Sequence, residues 1–132
     1  MPRALWPLRH GRPSIRVILT AAASGQPTPR FLVADTGAGS THAPFELILS
    51  DGDCLLGGGR LGRAAVLRGA YAGSFPIYRL RVQVPELGFD GIVNTAGVLT
   101  TPVGFDGIAG FRFLNRYTYG NFGDPDQFGL ET

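Results

Sequence analysis

From Ile77 to Val84 the chain alternates without a break: Leu80, Val82 and Val84 fall on one side, Arg79, Arg81 and Gln83 on the other. A period of two sends successive side chains to opposite faces of an extended backbone, so this segment predicts a β-strand with one face in a core. Pro85 ends it, because proline has no N–H to give to a ladder. A strand of this kind needs partners. Ser14 to Ala23, rich in β-branched and aliphatic residues, supplies one, and Arg30 to Ala34 supplies another after a turn over Gly25-Gln-Pro-Thr-Pro29. Phe45 to Leu49 predicts a further strand, stopped by Asp51-Gly52, and Leu56 to Gly62 reads as a flexible glycine loop.

Composition agrees with many short strands joined by tight turns. Glycine (20) and proline (10) are abundant while apolar residues still reach 44%, which excludes a disordered chain. At 132 residues the chain fits one domain with a core of its own and has no need of a staple or a metal. The one helical signal is Phe111 to Tyr117, with Phe111, Leu114 and Tyr117 spaced at threes and Gly120 beyond. The sum is an all-β domain over residues 1–132 with one short C-terminal helix, and no linker divides it. Gly88-Phe-Asp-Gly-Ile92 and Gly104-Phe-Asp-Gly-Ile108 resemble each other, but two copies do not make a solenoid.

Several functional classes have little support. The net charge is +2 with scattered arginines, which argues against a nucleic-acid face. No run approaches the ~20 apolar residues of a membrane span, and Met1 to Gly11, broken by Pro2 and Pro7, does not read as a signal peptide. The expectation is a soluble, cytoplasmic protein with no nucleic-acid or membrane partner. Cys54 is the single cysteine and has no histidine near it in sequence, so it reads as structural. His10 and His42 lack any partner pattern, and Asp51, Asp53, Asp124 and Asp126 lie in turn-like contexts; no metal site and no cofactor is indicated.

The residues that carry chemistry are Phe31-Leu-Val-Ala-Asp35-Thr-Gly-Ala-Gly-Ser40, an apolar strand running straight into Asp35-Thr36-Gly37. Hydrolysis of a peptide without metal or covalent nucleophile requires one carboxylate to deprotonate water and a second acid to protonate the carbonyl oxygen. Two aspartates in contact, of which aspartic proteases are the established example, share one proton and serve both roles, since like charges so close cannot both ionise. Asp before Thr-Gly is also plain turn chemistry, because the carboxylate can accept from the backbone two residues on.

Phe31 to Ser40 resembles the active-site hallmark of retropepsin-like (retroviral-type) aspartic proteases, and in particular their bacterial single-domain relatives. The resemblance implies a retropepsin-like closed β-barrel or sandwich in which residues 1–12 form a flexible or interface arm. It also implies a glycine-rich flap two to three dozen residues after the aspartate, for which Gly57, Gly58 and Gly59 are the candidates. An apolar-apolar-Gly segment that threads beside the catalytic loop and leads into a helix is implied as well, and Phe105-Asp-Gly-Ile-Ala-Gly110 with Phe111-Arg-Phe-Leu114 is similar to it. Phe122 to Glu131 resembles the closing strand.

Only one Asp-Thr-Gly is present, so the resemblance implies a homodimer in which Asp35 is supplied twice and the substrate is a peptide or protein. Thr36 would then bond across the twofold axis, and Gly37 would let the backbone approach the carboxylates. Ala38 stands where pepsin-like sites carry a serine hydroxyl, and loss of that donor favours a milder working pH. Gly39 departs from the Ser, Asp or Asn common in the family.

Three alternatives compete. Gly57 to Gly62 matches G-x-G-x-x-G, which signals a dinucleotide only between a strand and a helix. Leu32 to Thr41 with Asp51-Gly52 looks similar to the phosphate-binding hairpin of sugar kinases and actin-like ATPases, where Asp35 would act through a metal. The same retropepsin fold with a silent site would be a dimerisation module.

Overall fold

A computed structural model describes residues 2–67 and 71–132. Six strands close a barrel in the order β2 (Ser14–Thr20), β3 (Pro27–Ala34), β8 (Gly107–Ala109), β4 (Leu47–Ser50), β7 (Phe89–Val98) and β6 (Gly73–Val84). The ring is completed by pairing of β2 with β6 at Ile18↔Gln83 and Leu19↔Val82. β5 (Arg60–Leu67) extends beyond β6 as the second arm of a hairpin. A separate small sheet joins β1 (Arg3–Pro7), β10 (Gln127–Glu131) and β9 (Thr118–Gly120). The all-β class and the closed barrel expected from the sequence are present.

The barrel explains why several strands are apolar at every position instead of every second one. Leu32, Leu47, Leu49 and Ala109 face the barrel core with Ile15, Leu80 and Phe113, while their neighbours Val33, Ile48 and Ile108 face a second cluster with Phe45 and Phe105. Strands covered on both faces gain from apolar residues on both. β6 is covered on one face over its second half, so Leu80, Val82 and Val84 are fully buried while Arg79 and Arg81 are exposed. On that outer face Arg81 donates to Asp90 at 2.8 and 3.0 Å, a solvent-exposed pair of the kind that contributes little to stability.

Three local readings differ from the structure. Asp51–Gly57 is a helix, α1, not a turn followed by a glycine loop. Ser50 caps it by accepting from the Asp53 amide at 3.2 Å, and Asp51 and Asp53 in the first turn complement the helix dipole. Asp53 also holds Arg30 of β3 through two bonds of 2.7 and 2.8 Å, which ties α1 to the barrel. The helix expected over 111–117 is reduced to a single turn, α2 (Phe111–Leu114), with strands after it. Of the flexible or interface arm expected over residues 1–12, residues 3–7 form β1, in register with β10 from Arg3↔Glu131 to Pro7↔Gln127.

Cys54 is fully buried on α1, and burial, reinforced by Asp51 and Asp53, pushes its thiol up to about 12. It therefore stays a protonated core residue rather than a nucleophile. No helix among the described residues is long and apolar enough to cross a membrane.

Candidate active site

Asp35 follows directly on β3, and its position is set by the strand beside it. β8 lies between β3 and β4, parallel to the first (Val33↔Ile108, Ala34↔Ala109) and antiparallel to the second (Ile48↔Ile108). The Asp35 amide continues the β3–β8 ladder by donating to the Ala109 carbonyl at 3.0 Å. Beyond it the chain turns back: the Ala38 amide donates to the Asp35 carbonyl at 3.1 Å, and the Gly37 amide donates to Asp35 Oδ1 at 2.9 Å. The turn chemistry of Asp-Thr-Gly and a fixed carboxylate are thus one feature, since the bond that makes the turn also orients the side chain.

The far side of the loop is held by the end of β8. Phe111 donates its amide to the Ala38 carbonyl at 2.8 Å, and Gly110 donates to the Glu46 carbonyl at 2.9 Å. A Cβ on Gly110 would lie 2.9 Å from the Ala38 oxygen and 3.1 Å from that of Glu46, so only glycine lets β8 thread this gap. Gly39 has φ +84°, and a side chain there would press on Ala43 and Phe45. The departure from Ser, Asp or Asn at this position therefore has a steric cause.

Behind the loop, Arg116 grips the buried Glu46 carboxylate with contacts of 2.8 to 3.1 Å, and Arg112 donates to the Ala43 carbonyl at 2.7 Å. Asp35 is partly exposed and Thr36 is exposed. The loop is rigid at its back and open at its front.

The open side faces a cavity of about 680 Å³. It is lined by Asp35 and Gly37 to Ser40, by the apolar Phe45, Ile48 and Ile108, and by Val66, Leu67 and Tyr71. The last three belong to the β5–β6 hairpin, which borders the same cavity. Its turn includes residues 68–70, outside the described residues. Burial raises the pKa of the Tyr71 phenol, which keeps it a neutral hydrogen-bonding group. His42 stands exposed at the cavity margin.

Comparison with family models, curated proteins and solved structures returns no match. The site therefore speaks through its own geometry.

That geometry brings Asp35 and Gly37 into the cavity and leaves Gly57, Gly58 and Gly59 outside it. Gly57 closes α1 and Gly58 caps it; a Cβ on Gly57 would lie 2.9 Å from Leu80 Cδ2, and one on Gly58 would lie 2.6 Å from the Arg79 carbonyl oxygen. At Gly57 and Gly58 the expected flap glycines are instead a close contact between α1 and β6, whereas a Cβ at Gly59 would meet nothing within 4 Å. The element that lines the cavity is the hairpin that follows. The same placement removes the dinucleotide reading, because Gly57 to Gly62 lies after a helix and leads into a strand, the reverse of what that fingerprint requires.

Sequence reasoning missed Val66, Tyr71 and His42 as cavity residues. The first two carried a signal, an apolar strand on each side of Gly69 to Gly73, which is hairpin chemistry; His42 carried none. Among the described residues no group of three His, Cys, Asp or Glu side chains is placed to hold a metal ion.

Proposed function

We propose that the chain is one half of a homodimeric, retropepsin-type aspartic endopeptidase. The observation that carries this reading is a lone, rigidly held carboxylate, Asp35, lining an open cleft that apolar side chains and a β-hairpin also line. A cleft of this kind suits an extended peptide with apolar side chains. Among the described residues the cavity lining contains no other carboxylate, so one copy lacks the second acid. A twofold partner would bring it, and Thr36 is exposed and Asp35 partly exposed, which leaves both accessible to such a partner.

In the dimer one Asp35 is ionised and the other protonated. The carboxylate takes a proton from water as the oxygen attacks the peptide carbonyl carbon, and the carboxyl gives its proton to the carbonyl oxygen. The resulting gem-diol collapses: the C–N bond breaks, the departing nitrogen takes the proton gained from water, and a diol hydroxyl returns a proton to the other aspartate. No bound cofactor enters this cycle. Ala38 offers the pair no hydroxyl donor.

Cleavage rate per chain is expected to rise with protein concentration and level off where sedimentation shows dimer. A constant rate per chain across a range in which sedimentation shows only monomer would overturn the proposal.

A further inference from the structure

Arg9-His-Gly-Arg12 is a two-residue hairpin that the hydrolytic cycle does not use, and none of its residues lines the cleft. His10 and Gly11 both have positive φ, +52° and +72°, the conformation whose twist suits a two-residue turn between antiparallel strands. Arg9 and Arg12 exchange both backbone bonds at 3.0 Å, so they stand directly opposite and their side chains leave from one face. Like charges facing each other across a ladder are unfavourable. The hairpin nevertheless sets two exposed arginines there.

Each guanidinium is seated on an aromatic ring. Arg9 lies over Phe31 of β3 with its Cζ 4.5 Å from the ring centre, and its Nε donates to the Gly104 carbonyl at 3.1 Å. Arg12 lies over Phe105 at 5.6 Å. Phe105 is buried with Ile48 and Ile108, and His10 packs edge-on against it at 5.9 Å. Stacking of this kind places a planar cation and leaves its N–H donors free. Among the described residues neither arginine has a carboxylate at ion-pair distance, whereas Arg16 and Arg30 on β2 and β3 are paired with Glu86 and Asp53. The carboxylate next to Phe105, that of Asp106, is committed elsewhere: it accepts from the Phe31 amide at 2.8 Å and its charge acts on Arg30.

We propose that Arg9 and Arg12 form a clamp for an oxyanion, and that its ligand is a phosphate monoester group, free or carried on a phosphorylated peptide. Two permanent positive charges match a group that carries about −1.5 to −2 at pH 7. Each planar guanidinium offers parallel N–H donors to its oxygens, and a single carboxylate would answer only one of the two charges. The bound anion removes the opposition of like charges that the hairpin carries when empty.

The test follows the amide and arginine Nε–H signals of residues 9–12 by NMR in the full chain, near neutral pH and at constant ionic strength. Inorganic phosphate should move them saturably, with a midpoint of roughly 1–10 mM, and acetate should not saturate in that range. Arg12→Gln removes one charge and leaves the bond from Arg9 to Gly104 in place, so the midpoint should rise about tenfold. Arg12→Lys keeps the charge, loses the fork and should raise it by less. Arg79→Gln, an exposed arginine on β6, should leave it unchanged. Melting temperatures of all variants show that the fold is intact. A phosphoserine peptide that binds more tightly than inorganic phosphate assigns the clamp to phosphorylated chains; equal or weaker binding assigns it to free phosphate or a small ester. Absence of saturation, an equal response to acetate, or a midpoint that survives both Arg12 substitutions overturns the clamp and leaves the chemistry at Asp35 untouched.

Discussion

Asp35→Asn is expected to lower peptide cleavage by roughly 10²- to 10⁴-fold, the usual weight of general acid–base catalysis, with the fold unchanged. The fold survives because the bond Asp35 Oδ1 accepts from the Gly37 amide at 2.9 Å is one that an asparagine carbonyl oxygen also accepts. The backbone bond from residue 35 to Ala109 does not involve the side chain. What disappears is the proton. An amide neither deprotonates water nor protonates a carbonyl oxygen, and in a homodimer the substitution enters both halves at once. Cleavage of a peptide substrate with thermal unfolding measured alongside checks both parts. Retained cleavage in a homogeneous Asp35→Asn preparation would end the mechanism, and lost cleavage with a collapsed melting temperature would move Asp35 from chemistry to structure.

Gly107→Val is expected to destabilise the chain by about 3 kcal/mol or more, a large part of the ~5–15 kcal/mol that holds a domain together. Gly107 opens β8, the strand enclosed between β3 and β4, opposite Leu32 on one side and Leu49 on the other. A Cβ there would run into the Ile48 carbonyl oxygen and come within 2.8 Å of Leu49 Cδ2. Backbone on a central strand cannot yield without breaking ladder bonds, so β8 would be pushed away and the Asp35 loop, which hangs on Ala109 and Phe111, would lose its back. Gly59→Ala is the matched control: a Cβ at Gly59 meets nothing within 4 Å, so stability should change little. Urea denaturation of both variants decides the matter, and near-native stability of Gly107→Val would contradict the threading of β8.

The parts of this fold that were legible in the sequence are those where local pattern and tertiary environment agree. The alternation at Leu80, Val82 and Val84 marks a strand covered on one side, and the apolar run into Asp35 marks one covered on both. Asp35 itself was visible because its turn chemistry and its chemical potential use the same three residues. α1 was hidden by glycine: Asp51-Gly52-Asp53 reads as a turn and Gly57 to Gly59 as a loop. The Ser50 to Asp53 spacing is nevertheless a helix N-terminus signal, and Cys54 buried one turn in gives the short helix a tertiary anchor that propensity does not weigh. The hairpin that lines the cavity is hidden for the same reason: glycines read as a sign of mobility, whereas at Gly57 and Gly58 they permit close packing against Leu80 and Arg79. The pairing of β1 with β10 joins opposite ends of the chain, a contact on which neither segment's local pattern bears.

The central claim, that one active site needs Asp35 from two copies, is tested most directly by subunit mixing. Wild-type chain is combined with an equal amount of Asp35→Asn chain at a concentration that favours dimers, and exchange is allowed to reach equilibrium before cleavage is measured. If both carboxylates are required, only dimers of two wild-type halves cut, and the rate per total chain falls to about one quarter of the pure wild-type value. A fall to about one half, the value for sites that each act alone, would contradict the account.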